Sequence, residues 1–354
     1  MNTLFFRKIL LSWYDSNKRD LPWRVLPTPY NVWISEIILQ QTRVNQGINY
    51  YIRFVDKYPD IASLASSSEE NILKMWQGLG YYSRARNLLF ASKQILNNYK
   101  GIFPDRFEEI KKLKGVGEYT AAAIASIAFH EPVAAIDGNV YRVLSRIFEI
   151  DTPINSGNGK KQFKELANQL IDPLQPGNFN QAIMEFGALQ CIPINPDCIV
   201  CPFKGGCIAF KNETVKYVPV KTKSAKVRDR YFNYLVIEQD HSILFNKRID
   251  QDIWKNLYDF PLIETNHSLN PEELIHSKNW KHFFNNGKVS ITRVSEEITH
   301  LLSHQRIHAR FYHILSDSFK KITSPYILID KKDIFDLPVP KIIEKHLLKI
   351  FLVK

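Results

Sequence analysis

Outside residues 191–207 this chain of 354 residues has no cysteine at all. A secreted fold stapled by dispersed disulfides is thereby excluded, and a reducing cytoplasm is the expected compartment. No apolar run approaches the roughly 20 residues that a membrane span needs, so no membrane partner is expected. The opening stretch, MNTLFFRKILLSWYDSNKRD, is apolar early but carries charge throughout and lacks a small-residue cleavage site. It reads as an amphipathic first helix and not as a signal peptide. No internal repeat with a period of roughly 20–50 residues is present, which argues against a solenoid or propeller.

What is there is a globular composition, 45% apolar and 12% aromatic, on a chain long enough for two or three domains. The net charge of +11 suits a polyanionic partner. It is concentrated in KNETVKYVPVKTKSAKVRDR, residues 211–230, which hold seven basic and two acidic side chains and no apolar periodicity. This segment reads as an interdomain linker, either a solvated tether or a strap along phosphates. Before it, stretches such as NVWISEIILQQTRV, EENILKMWQGLG and NVYRVLSRIFEI have helical periodicity. After it, YFNYLVIEQDHSILFNKRI reads as strand, turn, strand, SPYILIDKKDI as a further strand, and PKIIEKHLLKIFLV as a closing helix. The expected fold is therefore multidomain: an all-α part over residues 1–210, the linker, and a smaller α/β part over residues 231–354.

Cys191, Cys198, Cys201 and Cys207 are spaced C-x6-C-x2-C-x5-C. Four soft thiolates in one loop suit a tetrahedral zinc or an iron–sulfur cluster, and the spacing leaves both open. Either way no ligand position is left for a substrate, so the loop shapes a surface. Upstream, LKGVGEYTAAAIASIAFH places Gly115 and Gly117 around one valine between two helical stretches. A tight turn of this kind presents backbone N–H groups at a helix N-terminus, where a phosphate oxygen can sit. The unit has the helix-hairpin-helix pattern, which holds a DNA backbone without reading bases.

Taken together, the hairpin, VAAIDGNVYRV and the cysteine spacing resemble the endonuclease III superfamily of DNA glycosylases. The resemblance covers about residues 1–215 and implies a [4Fe–4S] cluster on the four cysteines. LPWR and WISEIILQQT narrow it to the adenine glycosylase branch, MutY. Breaking a C1′–N bond leaves a cationic sugar and a base that needs a proton, so the chemistry calls for two carboxylates. Asp137 precedes a helix and suits an N-cap; the resemblance makes it the carboxylate beside the sugar cation. Glu36 falls between Leu39 and Trp33 on the helical wheel, an apolar setting that favours the protonated carboxyl. The resemblance makes it the acid that protonates adenine, at N7. Position 119 is Tyr119 where bifunctional relatives carry lysine, and a phenol cannot form a Schiff base. A monofunctional hydrolase is implied. Arg24 and Glu185 correspond to residues bordering the adenine pocket. Gln41, Thr42, Leu79 and Tyr81 match segments that wedge into the duplex around the flipped base.

The C-terminal part resembles the Nudix-like domain of MutY. LIETNHSLNPEELIHSKNW, which begins just after Pro261, has no glutamate-dense box for magnesium, so recognition without hydrolysis is implied. Ser303 and His304 match a Phe-Ser-His triplet lying against 8-oxoguanine, with Leu302 in the aromatic position. The expected function is removal of adenine paired with 8-oxoguanine or guanine in double-stranded DNA, leaving an abasic site, by a monomeric, nucleoid-associated repair enzyme. A lyase for oxidised pyrimidines is opposed by Tyr119. A DNA-binding iron–sulfur sensor without catalysis is opposed by Glu36 and Asp137.

Overall fold

The computed structural model describes residues 1–222, 227–284, 289–315 and 326–351. Lys223 and Lys226 of the basic linker lie outside the described residues. The chain forms two compact units, Met1–Ser67 with Arg86–Lys223, and Ser68–Ala85 with Ser224–Lys354.

The first unit is helical. Its opening helix, Thr3–Asn17, is capped by the Asn2 side chain and buries Phe6, Leu10 and Tyr14, one residue per turn on one face. That stripe joins Val143, Leu144 and Ile147 of helix Gly138–Phe148, Phe179 and Phe186 of helix Pro176–Leu189, and Phe203 of the cysteine loop in one core. Phe6 and Phe203 have ring centroids 5.0 Å apart, so the loop is seated directly on the core. Helix Pro29–Leu39 starts with proline at N1 and a Thr28 cap, and packs on helix Glu118–Phe129. The latter presents Ala121, Ala123, Ile124 and Ala125, all fully buried, and the small side chains let the two backbones approach closely. The stretch DRFEEIKKLK forms only one turn, Phe107–Ile110, because the chain must then tighten into the hairpin before Glu118.

The second unit is built on an eight-stranded sheet among the described residues. The strands are β1 (Arg228–Gln239), β2 (Ser242–Lys247), β3 (Tyr258–Asp259), β4 (Leu262–Thr265), β5 (Ser290–Val294), β6 (Ile298–Leu301), β7 (Gln305–Leu315) and β8 (Tyr326–Asp330). The order β3-β2-β1-β7-β5 puts β1 and β7 at the centre as the parallel pair; the other pairings are antiparallel. The expected strand–turn–strand appears as β1 and β2, with Asp240 in the left-handed region at the turn. Leu235, Ile237, Tyr312 and Ile314 face helices Pro271–His276 and Lys278–Phe283 through Leu274 and Trp280. On the alternate positions Tyr234 stacks on Phe311, and Phe311 on His346 of the closing helix Lys341–Phe351. Both faces are covered, which explains why β1 is buried at six consecutive positions, not alternately. EENILKMWQGLG, read from its periodicity as one more helix of the helical run, forms helix Glu69–Met75 and belongs to this sheet unit.

Candidate active site

Three chemical groups expected from widely separated stretches meet in the first unit around a cavity of about 400 Å³. Glu36 comes from the buried helix Pro29–Leu39, Tyr119 from the first turn after the hairpin, and Asp137 from the N-terminus of helix Gly138–Phe148. Burial is the largest influence on Glu36 and pushes its carboxyl up to about 7; a hydrogen bond from the Tyr119 hydroxyl pulls back, Asp137 pushes further up, and Arg24 lowers it. The phenol of Tyr119 is driven well above its ordinary value by burial and by the two carboxyls, so it stays a neutral donor. Its hydroxyl also lies 3.2 Å from the Met184 sulfur.

Asp137 caps its helix and faces the cavity at once. Its Oδ1 accepts from the backbone N–H of Asn139 and of Val140, both at 2.8 Å, and its Oδ2 accepts from the Asn139 side chain at 2.7 Å. Burial raises its carboxyl, and these three donors oppose the rise. Asn139 is itself held by Arg142, whose guanidinium donates to Asn139 Oδ1 and Gly187 O at 2.7 Å and to Cys191 O at 2.8 Å. The aspartate is thus fixed through one arginine to the backbone of the first cysteine.

Arg24 and Glu185 border the same cavity. Glu185 is 2% exposed, and five N–H donors already address its two oxygens: three from Arg19, at 2.7–2.9 Å, and two from Arg24, at 3.1 and 3.3 Å. The two guanidinium groups overcome the burial and hold its carboxyl at about 2. A carboxylate has about four lone-pair sites, so Glu185 has no acceptor left for an adenine amino group. It anchors Arg19 and Arg24. Arg19 and Asn139 were missed in the sequence; Arg19 sits in the charged run DSNKRD and Asn139 in the first turn of a helix, and only the fold carries them to the cavity.

Gln41 and Thr42 line the same cavity, and Gln41 has a φ of +56°. The hairpin lies elsewhere in the unit. Gly115 has a φ of +80°, and a Cβ there would stand 2.6 Å from that of Asn87, so glycine is required. Gly117 caps helix Glu118–Phe129 without a side-chain oxygen, which leaves the first N–H groups free for an external anion. In the second unit Leu79 is buried, Tyr81 is exposed with a φ of +49°, and its hydroxyl meets Ser303 Oγ at 2.5 Å. Ser303 and His304 are exposed in the turn between β6 and β7.

All four cysteines line one small cavity of about 20 Å³. Burial, with the neighbouring thiols adding to it, raises Cys201 to about 12 and pushes Cys198 and Cys207 up as well. Arg146 closes the site: it donates to the carbonyls of Ile192, Pro193 and Val215 and lies 3.5 Å from Cys191 Sγ. Among the described residues no three His, Cys, Asp or Glu side chains stand at the geometry of a single bound metal ion. The donor chemistry, four crowded thiols on an apolar wall, fits a soft, thiolate-ligated group.

Residues 34–173 match the HhH-GPD superfamily of base excision DNA repair proteins, and residues 233–349 match the NUDIX domain. The first unit therefore defines a DNA glycosylase, a hydrolase of N-glycosyl bonds. Among solved structures, a thermostable thymine-DNA glycosylase superposes with a TM-score of 0.56 at 30% identity, covering 59% of this chain and 97% of that one. Endonuclease III in a trapped covalent complex with DNA superposes at 0.52 with 22% identity, over 60% of this chain and 99% of that one, which bears on the fold alone. Adenine DNA glycosylase of Buchnera aphidicola subsp. Schizaphis graminum is 34% identical over 99% of this chain and 100% of its own length. The human adenine DNA glycosylase is 46% identical over 58% of this chain and 39% of its own. The chain belongs to the adenine DNA glycosylase family, and its reaction is adenine excision in base excision repair. No helix among the described residues is long and apolar enough to cross a membrane.

Proposed function

We propose that this enzyme hydrolyses the glycosidic bond of adenine paired with 8-oxoguanine, or with guanine, in duplex DNA and leaves an abasic site. The observation that carries the reading is the meeting of Glu36, held near neutrality, with Asp137 and Tyr119 around a cavity large enough for a base. Glu36 enters protonated and gives its proton to a ring nitrogen of adenine, N7. The C1′–N bond lengthens, positive charge grows on the sugar, and the Asp137 carboxylate opposes it. Water then adds at C1′ and loses a proton, which returns to the Glu36 carboxylate. Tyr119 keeps Glu36 oriented and offers no amine, so strand cleavage does not follow. Arg24, braced by Glu185, forms a wall of the base pocket.

Gly115 and Gly117 hold the backbone phosphates, Gln41, Thr42 and Tyr81 meet the duplex around the flipped base, and Leu79 is buried in the turn that presents Tyr81. Ser303 and His304 read the base opposite, the serine addressing the N7–H that 8-oxoguanine has and guanine lacks. Cys191, Cys198, Cys201 and Cys207 would hold one [4Fe–4S] cluster, which, when bound, ties the loop into a rigid platform. The working division is catalysis in residues 1–210, a basic strap over 211–230 and lesion recognition in 231–354, in a monomer acting on cytoplasmic, nucleoid-associated DNA.

A duplex with one A·8-oxoguanine pair tests this reading. Strand scission only after alkali is expected. Scission without alkali would mark a lyase, and none in either case would mark a binding protein.

A further inference from the structure

Tyr81 stands in a backbone conformation that tyrosine rarely adopts, and the second unit holds it there from two sides. From below, the Arg84 guanidinium lies 5.4 Å from the Trp76 ring and 5.3 Å from the Tyr81 ring, and donates to Gly80 O at 3.2 Å. The Trp76 indole N–H donates to the same carbonyl at 3.2 Å. Gly78 and Gly80, with φ of +93° and +72°, allow the chain to fold tightly enough for this. From the far side, the Tyr81 hydroxyl meets Ser303.

This turn is bolted to the sheet unit along its whole approach. Glu69 accepts from Asn256 at 2.6 Å, and Glu70 from Lys247 and Tyr258, each at 3.3 Å. Lys74 donates to the carbonyls of Phe335 and Leu337. Gln77 donates to Glu344 at 2.7 Å and accepts from the Val339 N–H at 3.3 Å, and the Tyr82 hydroxyl donates to Val339 O at 3.2 Å. A helix of seven residues does not hold itself in water. Its position, and that of the turn after it, is set by these contacts with residues more than 150 positions later.

We infer that residues 68–85 are a working part of the lesion-reading unit, and that Lys74 and Gln77 are positioning residues that fix Tyr81 relative to Ser303. The wedge and the reader then move as one body. A base that satisfies Ser303 brings Tyr81 into the stack, and a base that does not leaves the wedge unseated. This deepens the proposed function and rests on its assignment of Ser303 to the base opposite adenine.

The test uses the full chain with its cluster. Lys74→Met with Gln77→Leu removes the Lys74 and Gln77 contacts of the dock, those next to the turn, without touching Tyr81, Ser303 or the catalytic cavity. Glu344→Gln is a milder variant for use if the double change fails to fold. A 2-aminopurine placed beside 8-oxoguanine reports unstacking by fluorescence, and single-turnover excision of A·8-oxoguanine against A·G reports discrimination. Loss of four hydrogen bonds, two of them from the Lys74 ammonium, predicts a fall of at least about tenfold in the discrimination ratio for the double variant and a lost fluorescence rise. A wild-type fluorescence rise and ratio in a folded dock variant overturns the inference. If Ser303→Ala lowers the ratio while the dock variants do not, the inference fails and the reading of Ser303 stands. If the intact enzyme itself shows no preference for 8-oxoguanine, that reading fails. The fluorescence on an A·G duplex then still decides whether the dock seats the wedge: a rise in the variant equal to wild type overturns the inference, and a lost rise supports it.

Discussion

Glu36→Gln separates what burying an acid does for chemistry from what it does to the fold. The carboxyl is held at about 7 in the folded protein against an ordinary 4.5. Its folded value is the higher one, so the contribution to stability is fully present below about 4.5 and is lost as pH rises through about 7. Over that window the unfolded chain ionises Glu36 and the folded chain does not. At about 1.36 kcal/mol per pH unit the loss comes to roughly 3 kcal/mol. Water in the cavity that the carboxyl borders screens part of this, so about 1–3 kcal/mol is expected. Glutamine keeps the shape and the bond to Tyr119 and does not ionise. Thermal unfolding of wild type and variant should agree near pH 5, and the variant should be the more stable at pH 8. At about 2–4 °C per kcal/mol, the gain is several degrees. Excision by the variant should be absent at both values, and wild-type single-turnover excision should fall about tenfold per pH unit above about 7, as the proton is lost. A stability difference that stays constant from pH 5 to pH 8 would refute the assignment of a neutral, half-buried acid at position 36.

Asp137→Asn should keep the helix cap, since asparagine accepts from the same N–H groups, and lose the charge facing the sugar. Excision should fall by about 10²–10³-fold with little change in melting temperature, and wild-type excision would remove Asp137 from the mechanism. Ser303→Ala with His304→Ala should leave A·G excision measurable and cut the preference for A·8-oxoguanine; one neutral hydrogen bond implies about a two- to tenfold loss for the serine alone, read by competition between the two duplexes. Neutralising Lys221, Lys223 and Lys226 should weaken binding to every duplex alike and flatten its salt dependence, and a change confined to lesion-bearing DNA would contradict a phosphate-strap role.

The sequence by itself determined much of this protein because its strongest signals are local. Four cysteines within 17 residues, two glycines around a valine, and an aspartate just before a helical period each act through neighbours in the chain. The helix-to-sheet change of texture after the basic segment has the same origin, since side-chain periodicity follows from backbone geometry. Even Glu36 was legible, because a carboxyl on a helix otherwise apolar around most of its circumference must stand in a largely apolar setting. Tertiary structure alone decided how these pieces meet. It saturated Glu185 with Arg19 and Arg24 from more than 160 residues away, and it tied Asp137 through Asn139 and Arg142 to Cys191. It also took EENILKMWQGLG, an ordinary helical stretch by its pattern, and fastened it to the sheet unit, where Tyr81 reaches Ser303. Hydrophobic period reports which face of a segment is buried and is silent about what buries it. The partner is chosen by side-chain groups far along the chain that satisfy one another's charge and hydrogen bonds once water is gone.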